Sequence, residues 1–480
     1  MHGNLCQNKL KRKKQIDMKI QNILLIALSA MSLTGCKSLY GVYERPAVKT
    51  EGLVRDVQSP TDTLVVTDTL SFGYMPWRQV FTDVQLQKHI ERALANNLDL
   101  LNAAQNVKMA EAQLKAAKLS FLPSFTFAPQ GTIASWDGGS AIKTYQLPIA
   151  ASWNVDLFGN FLSQKRSSQV TLLASQDYQK LVRINIISGV ANLYYTLLML
   201  DRQLAIVDDM HGLTKETREK MKVLMDLGRG IRSTGVQSAE ANYYAVEAKR
   251  ADLLRQIRET ENALSLLMGQ PAQSIVRGKL ENQTLPQRFS TGIALQLLNN
   301  RPDVHAAEMQ LAQCFYNVQT ARSRFYPSLT ISPTGVFTNS MGGMEVNPGK
   351  WLLSAVGSLV QPIFQQGKIV AGLRVANAQY EKAYNTWQNS ILKAGNEVSN
   401  ALVLYHSSDE KSKIEAKQIE VLQKNVEDTK LLLHQSNSTY LEVITAQQAL
   451  LNAQTAKIRD DFNKMQAIVN LYQALGGGVQ

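Results

Sequence analysis

Six histidines and three cysteines are the residues of this 480-residue chain best suited to metal or nucleophilic chemistry. Their spacing does not serve it. His89, His211, His305, His406 and His434 lie scattered along the chain, without the short intervals that let side chains converge on one ion. No GxSxG elbow, HExxH helix or GxxxxGK[ST] phosphate loop occurs. Gly476, Gly477 and Gly478 follow a helical run and read as its end, not as a phosphate cradle. The residues therefore point to no catalytic group, no metal and no cofactor. They describe a protein that is not an enzyme.

Cys36 is the exception, and its chemistry is covalent modification. From Met18 the chain reads MKIQNILLIALSAMSLTGC: a basic start, an apolar core, then small residues before a cysteine. That is the layout of an export signal. Leu33-Thr34-Gly35-Cys36 resembles a bacterial lipobox, in which the cysteine is lipidated and becomes the new N-terminus. A plain secretory signal with an incidental cysteine is the weaker reading, because position, flanks and cysteine all agree. The basic run Lys9–Lys14 belongs with this signal rather than with nucleic acid. Residues 1–35 carry six Lys/Arg and one Asp, so much of the +12 charge leaves with them and the rest is mildly basic. With Cys36 lipidated, Cys314 has no disulfide partner. An exported chain of this kind must hold together by packing or oligomerisation.

Two segments repeat. FLPSFTF at 121–127 returns as FYPSLTI at 325–331, and each ends an Ala-rich helical run at a proline. The match extends back to Asp99 and Asp303, and its register implies an internal duplication. The chain then divides into a signal (1–35), an extended tether (36–76), a first repeat (77–270), a linker (271–300) and a second repeat (301–480). Each repeat is expected to hold a helix, two strands and a long helical hairpin. The first helix is expected as one run from about 83 to 119. The long helices are expected over about 160–227 and 366–434, with return helices over 236–268 and 443–475. NSMGGMEVNPG, after the third strand, reads as a loop.

The strands set the strongest demand. Tyr145, Leu147, Ile149, Ala151, Trp153 and Val155 alternate with polar or small neighbours, as do Leu329, Ile331 and later Trp351, Leu353 and Leu359. Four strands of roughly ten residues, each with one apolar face, suit a tilted membrane-spanning strand. In lipid such a sheet must close, because an unpaired backbone group has no water to bond. Four strands do not close alone, whereas three copies supply about twelve. A soluble β-subdomain capping long helices is the competing reading. The export signal and the aromatic residues on the apolar faces favour the membrane.

WRQVFTDVQLQKHIERALANNLDL (77–100), WNVDLFGN (153–160), ALSLLMGQP (264–271), RPDVHAAE (301–308), QPIFQQGK (361–368) and the final LYQALGGG together resemble the TolC/OprM-like outer-membrane efflux proteins. The match is to their lipoprotein, NodT-like branch. The resemblance implies a mainly α fold with a β-barrel portion. In it, a homotrimer places a twelve-stranded barrel in outer-membrane lipid and a helical tunnel in the periplasm. It implies a passive exit duct for small toxic compounds or drugs, with a periplasmic adaptor and an inner-membrane RND-type pump as partners. A type I protein-secretion channel, and a non-pore structural lipoprotein, are the alternatives. The hairpin tips of the family close the tunnel and dock the adaptor. By that resemblance Glu442, Tyr440, Thr445 and Arg232 are gate candidates. Gly228, Arg229, Gly230, Ser233, Ser436 and Ser438 are docking candidates.

Cys36→Ser is expected to abolish palmitate incorporation in cells fed labelled palmitate. Persistent labelling of the variant would move the lipid to another residue.

Overall fold

The computed structural model describes residues 40–48, 53–55, 72–135, 137–228, 232–286, 301–341, 344–434 and 440–479. Cys36 and most of the tether lie outside these. The chain forms two compact units. One is built from 108–174 and 307–387 with the residues up to Ala47, and the other from 48–107, 175–306 and 388–480.

The duplication is plain in the element lengths. Helices α3 (Leu98–Leu119) and α6 (Pro302–Ser323) have 22 residues each. The long helices α4 (Asn160–Asp226) and α7 (Lys368–His434) have 67 each. The return helices α5 (Ser233–Leu267) and α8 (Tyr440–Ala474) have 35 each. Both return helices end on a glycine with positive φ, Gly269 at 68° and Gly476 at 78°. After Gly269 the Gln270 amide donates to the Ser265 carbonyl, and after Gly476 the Gly477 amide donates to Tyr472, which is the Schellman closure. A Cβ on Gly269 would lie 2.5 Å from the Asn96 carbonyl oxygen.

The first helical run is broken where one helix was expected. After the single turn α1 (Trp77–Val80), α2 (Val84–Asn96) stops and α3 starts at Leu98. Asn97 between them is extended and buried. Its side chain accepts from the Leu100 amide at 3.0 Å and donates to the Leu267 carbonyl at 2.9 Å. It thus caps α3 and ties the break to the end of α5.

In the first unit, four strand passes form one antiparallel sheet. The first pass is split into β1 (Ser124–Phe127) and β2 (Gln130–Ala134), both paired to β3 (Ile142–Val155) in one continuous register. The gap falls at Pro129, which has no amide to give the ladder. β3 pairs β4 (Ser328–Met341), and β4 pairs β5 (Met344–Val360). Pairing of β3 with β4 likewise lapses between Ala150/Thr334 and Trp153/Ile331, where Pro333 sits. The strands outrun the expected ten residues, at 14, 14 and 17. The expected loop NSMGGMEVNPG is instead the end of a hairpin, with Met341 opposite Met344 and a bulge between Thr338 and Ser340. Asn339 supports that bulge. Its side chain accepts from the Tyr145 amide at 2.8 Å and donates to the Lys143 carbonyl at 2.9 Å, replacing ladder bonds. Residues 41–48 carry no regular structure and are pinned to this unit. The Tyr40 hydroxyl donates to the Leu157 carbonyl at 2.7 Å, and Arg45 grips Glu308 with two nitrogens.

The second unit holds the main core. Ile187, Val190, Tyr194, Tyr195, Leu197 and Leu198 of α4 are almost fully buried against Trp77, Phe81, Leu86 and Ile90 and the end of α8. By composition α4 contains a stretch apolar enough to cross a membrane. These core residues show where much of that apolarity goes. Polar anchors sit inside the core. Asp83 caps α2 by accepting from the Gln85 amide at 2.7 Å. Its other oxygen accepts from the Tyr194 hydroxyl at 2.8 Å and the Gln283 amide at 2.7 Å. Arg277 of the linker bridges Asp201 at 2.5 Å and the buried Glu261 at 2.6 Å. Burial raises the Asp83 pKa, but the bonds from Gln283, Tyr194 and two backbone amides outweigh it, so the carboxyl is held below its usual range.

Stability from Asp83 is therefore full above the usual carboxylate range and lost as pH falls through the depressed value. Asp83→Ala should cost about 1–2 kcal/mol at pH 7, the value of a good cap. The gap between the melts of variant and wild type should narrow as pH falls below the usual carboxylate range; a gap that stays constant as the pH is lowered would contradict this.

Candidate functional site

The sheet has two unlike faces. In register across β3, β4 and β5 run Val155–Leu329–Leu359, Trp153–Ile331–Gly357 and Leu147–Phe337–Trp351. Phe125, Phe127 and Ile133 extend the same face onto β1 and β2. This face is apolar and uncovered: Leu353 is 79% exposed, Ile133 74% and Phe125 73%. Apolar surface of that extent needs an apolar neighbour. Aromatic rings mark both of its ends. Phe337 contacts Tyr145 and Trp351, with centroids at 6.1 and 5.5 Å. At the other end the Trp153 indole donates to the Phe121 carbonyl at 3.0 Å. Such girdles belong at the two interfaces of a membrane. The other face carries Thr126, Thr132, Thr144, Gln146, Ser152, Asn154, Thr330, Ser332, Thr334, Ser354 and Ser358. β1/β2 and β5 are the sheet edges, and among the described residues neither meets another strand.

The hairpin tips lie in the second unit. Gly228 closes α4 at φ 69°. Arg232 is extended and immediately precedes α5, of which Ser233 is the first residue. Tyr440 opens α8, and Glu442 follows in its first turn, exposed. The Thr445 hydroxyl donates back to the Leu441 carbonyl at 2.7 Å, inside its own helix. Arg229, Gly230, Ser436 and Ser438 lie outside the described residues. The two hairpins meet in a small apolar cluster: Met221 of α4, Ala239 of α5 and Ile444 of α8, with Val236 and Tyr440 packed against it. Burial raises the Tyr440 pKa, with Lys220 opposing. Of the gate candidates, Tyr440 is thus held in apolar packing, while Glu442 and Thr445 are exposed.

Composition of the tips did not reveal the charges that brace them. The Arg218 guanidinium lies over the Tyr243 ring at 4.3 Å. Lys220 pairs Glu216 at 2.5 Å, and that bond holds the Glu216 carboxyl below its usual range. Farther along, Asp409 is shared by Lys413 and Lys464, and Lys411 reaches the buried Asp460 at 3.3 Å. Lys457 and Ser412 both bond Asp461. Burial and the neighbouring Asp460 push the Glu415 pKa up. The i, i+4 pairs Asp409/Lys413 and Lys457/Asp461 were legible in the sequence. The bonds that cross from α7 to α8 were not.

The described residues contain no group of three or more metal-binding side chains. An exposed apolar sheet face, a polar opposite face and paired helical hairpins describe a conduit wall rather than a reaction centre. The family model for outer membrane efflux proteins matches residues 89–270 and 294–477. The chain belongs to the outer membrane efflux protein family. It is 26% identical over 463 residues to the cation efflux system protein CusC of Escherichia coli, covering 94% of this chain and 98% of that one. It is 29% identical over 482 residues to the toluene efflux pump outer membrane protein TtgC of Pseudomonas putida, covering 95% and 96%. In fold it is similar to the open-state outer membrane channel MtrE of Neisseria gonorrhoeae, with TM-score 0.79, 23% identity and coverage of 92% and 98%. The protein is an outer-membrane component of an efflux system, mainly α with a β-barrel portion and two internal repeats.

Gly228→Val would force a β-branched residue to positive φ, at about 1–2 kcal/mol. The cost should fall on the tip alone: trypsin should cut faster after Arg229 or Arg232, read by mass spectrometry, with helix content unchanged. An unchanged cutting rate would contradict this.

Proposed function

We propose that three copies of this chain close their sheets into one twelve-stranded barrel and join their hairpins into a periplasmic tunnel. The product is a passive exit duct for small toxic compounds or drugs. One observation carries this reading: a sheet with an uncovered apolar face and two unpaired edges. In lipid each edge must find a strand. The β5 edge of one copy supplies the β1/β2 edge of the next, and three such joins close the ring. Twelve strands exceed the number whose interior side chains fill the bore, so the hydroxyl-rich face lines water. A non-pore scaffold leaves the apolar face in water.

In this reading residues 1–35 are removed, Cys36 anchors the chain in lipid, 36–76 form the tether, and 271–300 link the repeats 77–270 and 301–480. The chain itself catalyses nothing. Its drive comes from an inner-membrane RND-type pump through a periplasmic adaptor, and the relatives named as parts of efflux pumps support that partnership. The adaptor docks at Gly228, Arg229, Gly230, Ser233, Ser436 and Ser438. Glu442 forms a ring of three carboxylates at the tunnel's narrow end, with Tyr440, Thr445 and Arg232 around it. Rings of carboxylates favour cations.

Purified protein in planar bilayers should conduct, and Glu442→Gln should shift its reversal potential in a KCl gradient toward anions. An unchanged reversal potential in a conducting variant would remove Glu442 from the gate. Absence of any conductance in wild type, in open or acid-treated states alike, would contradict the duct.

A further inference from the structure

The polar face of the sheet is almost without charge. Along the described pairs, its positions on β1 to β4 carry Ser, Thr, Gln, Asn, Ala, Pro, Ile and Val. On β5 the same face runs Lys350, Leu352, Ser354, Val356, Ser358 and Val360. Lys350 is the one charged residue on this face along the regular register from Ser328/Val360 to Thr338/Lys350; beyond the bulge Ser340 pairs Glu345. The register assigns Lys350 there without ambiguity. It stands opposite Thr338, while its chain neighbour Trp351 stands opposite Phe337 on the apolar face. Lys350 is exposed, and its ammonium makes no ion pair with a described carboxylate. Its height in the barrel follows from the same register. Trp351 and Phe337 belong to the aromatic cluster near the β4–β5 hairpin, at the end of the sheet remote from the helices.

We infer that Lys350 sets the charge preference of the bore at its own level, on the helix side of the bulge: three copies form a ring of ammonium groups in a stretch of lumen face that is otherwise neutral, favouring anionic over cationic solutes there. The inference rests on the proposed trimeric barrel. Twelve strands spaced about 4.8 Å apart and tilted about 40° give a backbone radius of roughly 12 Å. The four-carbon stem carries the charge inward from that wall. Each charge then lies within about 8 Å of the axis, the Debye length at physiological salt, so screening does not silence it. Along that regular register no carboxylate on the lumen face offsets it, so the ring dominates the field at its own level. A ring of Lys or Arg is how pores prefer anions.

The test measures the potential beside the ring, in intact cells, on the full lipidated chain in a Cys314→Ser background. Leu352→Cys places a thiol on the lumen face next to Lys350, and Leu353→Cys places one on the lipid face. Both are treated from outside with membrane-impermeant methanethiosulfonates, one anionic (sulfonatoethyl) and one cationic (trimethylammonioethyl). The thiol at 352 should react and that at 353 should not. The anionic-to-cationic rate ratio at 352 should fall by at least about threefold when Lys350→Gln is added, as expected for a few charges at this range. Lys350→Arg should keep the ratio. A reactive 352 whose ratio ignores the charge at 350 overturns this inference alone. Reaction at 353, or at neither position, overturns the face assignment and the barrel reading with it.

Discussion

A β-sheet in lipid has no water to satisfy its edges, and the rest of this protein follows from that constraint. Its four strand passes present a continuous apolar face from Phe125 to Leu359 and two edges, β1/β2 and β5, that the chain leaves unpaired. Strands of 14 and 17 residues are long enough to cross the hydrocarbon core while tilted, with the surplus carried into the interfaces. The two aromatic clusters mark those interfaces. Pro129 and Pro333 fall where pairing lapses, and the Asn339 amide takes over the ladder at the bulge.

Duplication explains the matched lengths of the helices, but the two copies are not held alike. The first repeat contributes Tyr194 and Asp83, which knit the start of α2 to the core of α4 and to the linker. The second contributes the α7–α8 lattice of lysines and aspartates. At the tips, the polar braces give way to an apolar contact of Met221, Ala239 and Ile444. Contacts of that size are small beside the main core. Exposed ion pairs such as Lys220–Glu216 add little stability of their own, and salt weakens them further.

Period and proline made most of the fold legible. The 3.6-residue stripe and good helix formers gave the four long helices to within a few residues. Alternation assigned the faces of β3, β4 and β5 correctly. The misses have physical reasons. Asn97 breaks a helix by capping the next one through the Leu100 amide, and the Leu267 carbonyl that fixes its side chain is 170 residues away. The Gly/Asn-rich stretch near 340 looked like a loop because glycine and asparagine dominate it. It is paired, with Met341 opposite Met344. For the tips, the resemblance supplied Glu442 and Tyr440, but nothing local foretold that Tyr440 packs across onto α4 and α5. That contact depends on where two distant hairpins meet. Lys350 sits between the supposed loop and the strand read from Trp351, so its face emerged only from the strand register.

The central claim is closure of the sheet by copies of the same chain. Light scattering on the detergent-solubilised, lipidated protein, with the detergent contribution subtracted, measures this most directly. The account predicts the mass of three chains. A protein that stays monomeric across several mild detergents has left its sheet edges unpaired, and the closed barrel would be contradicted.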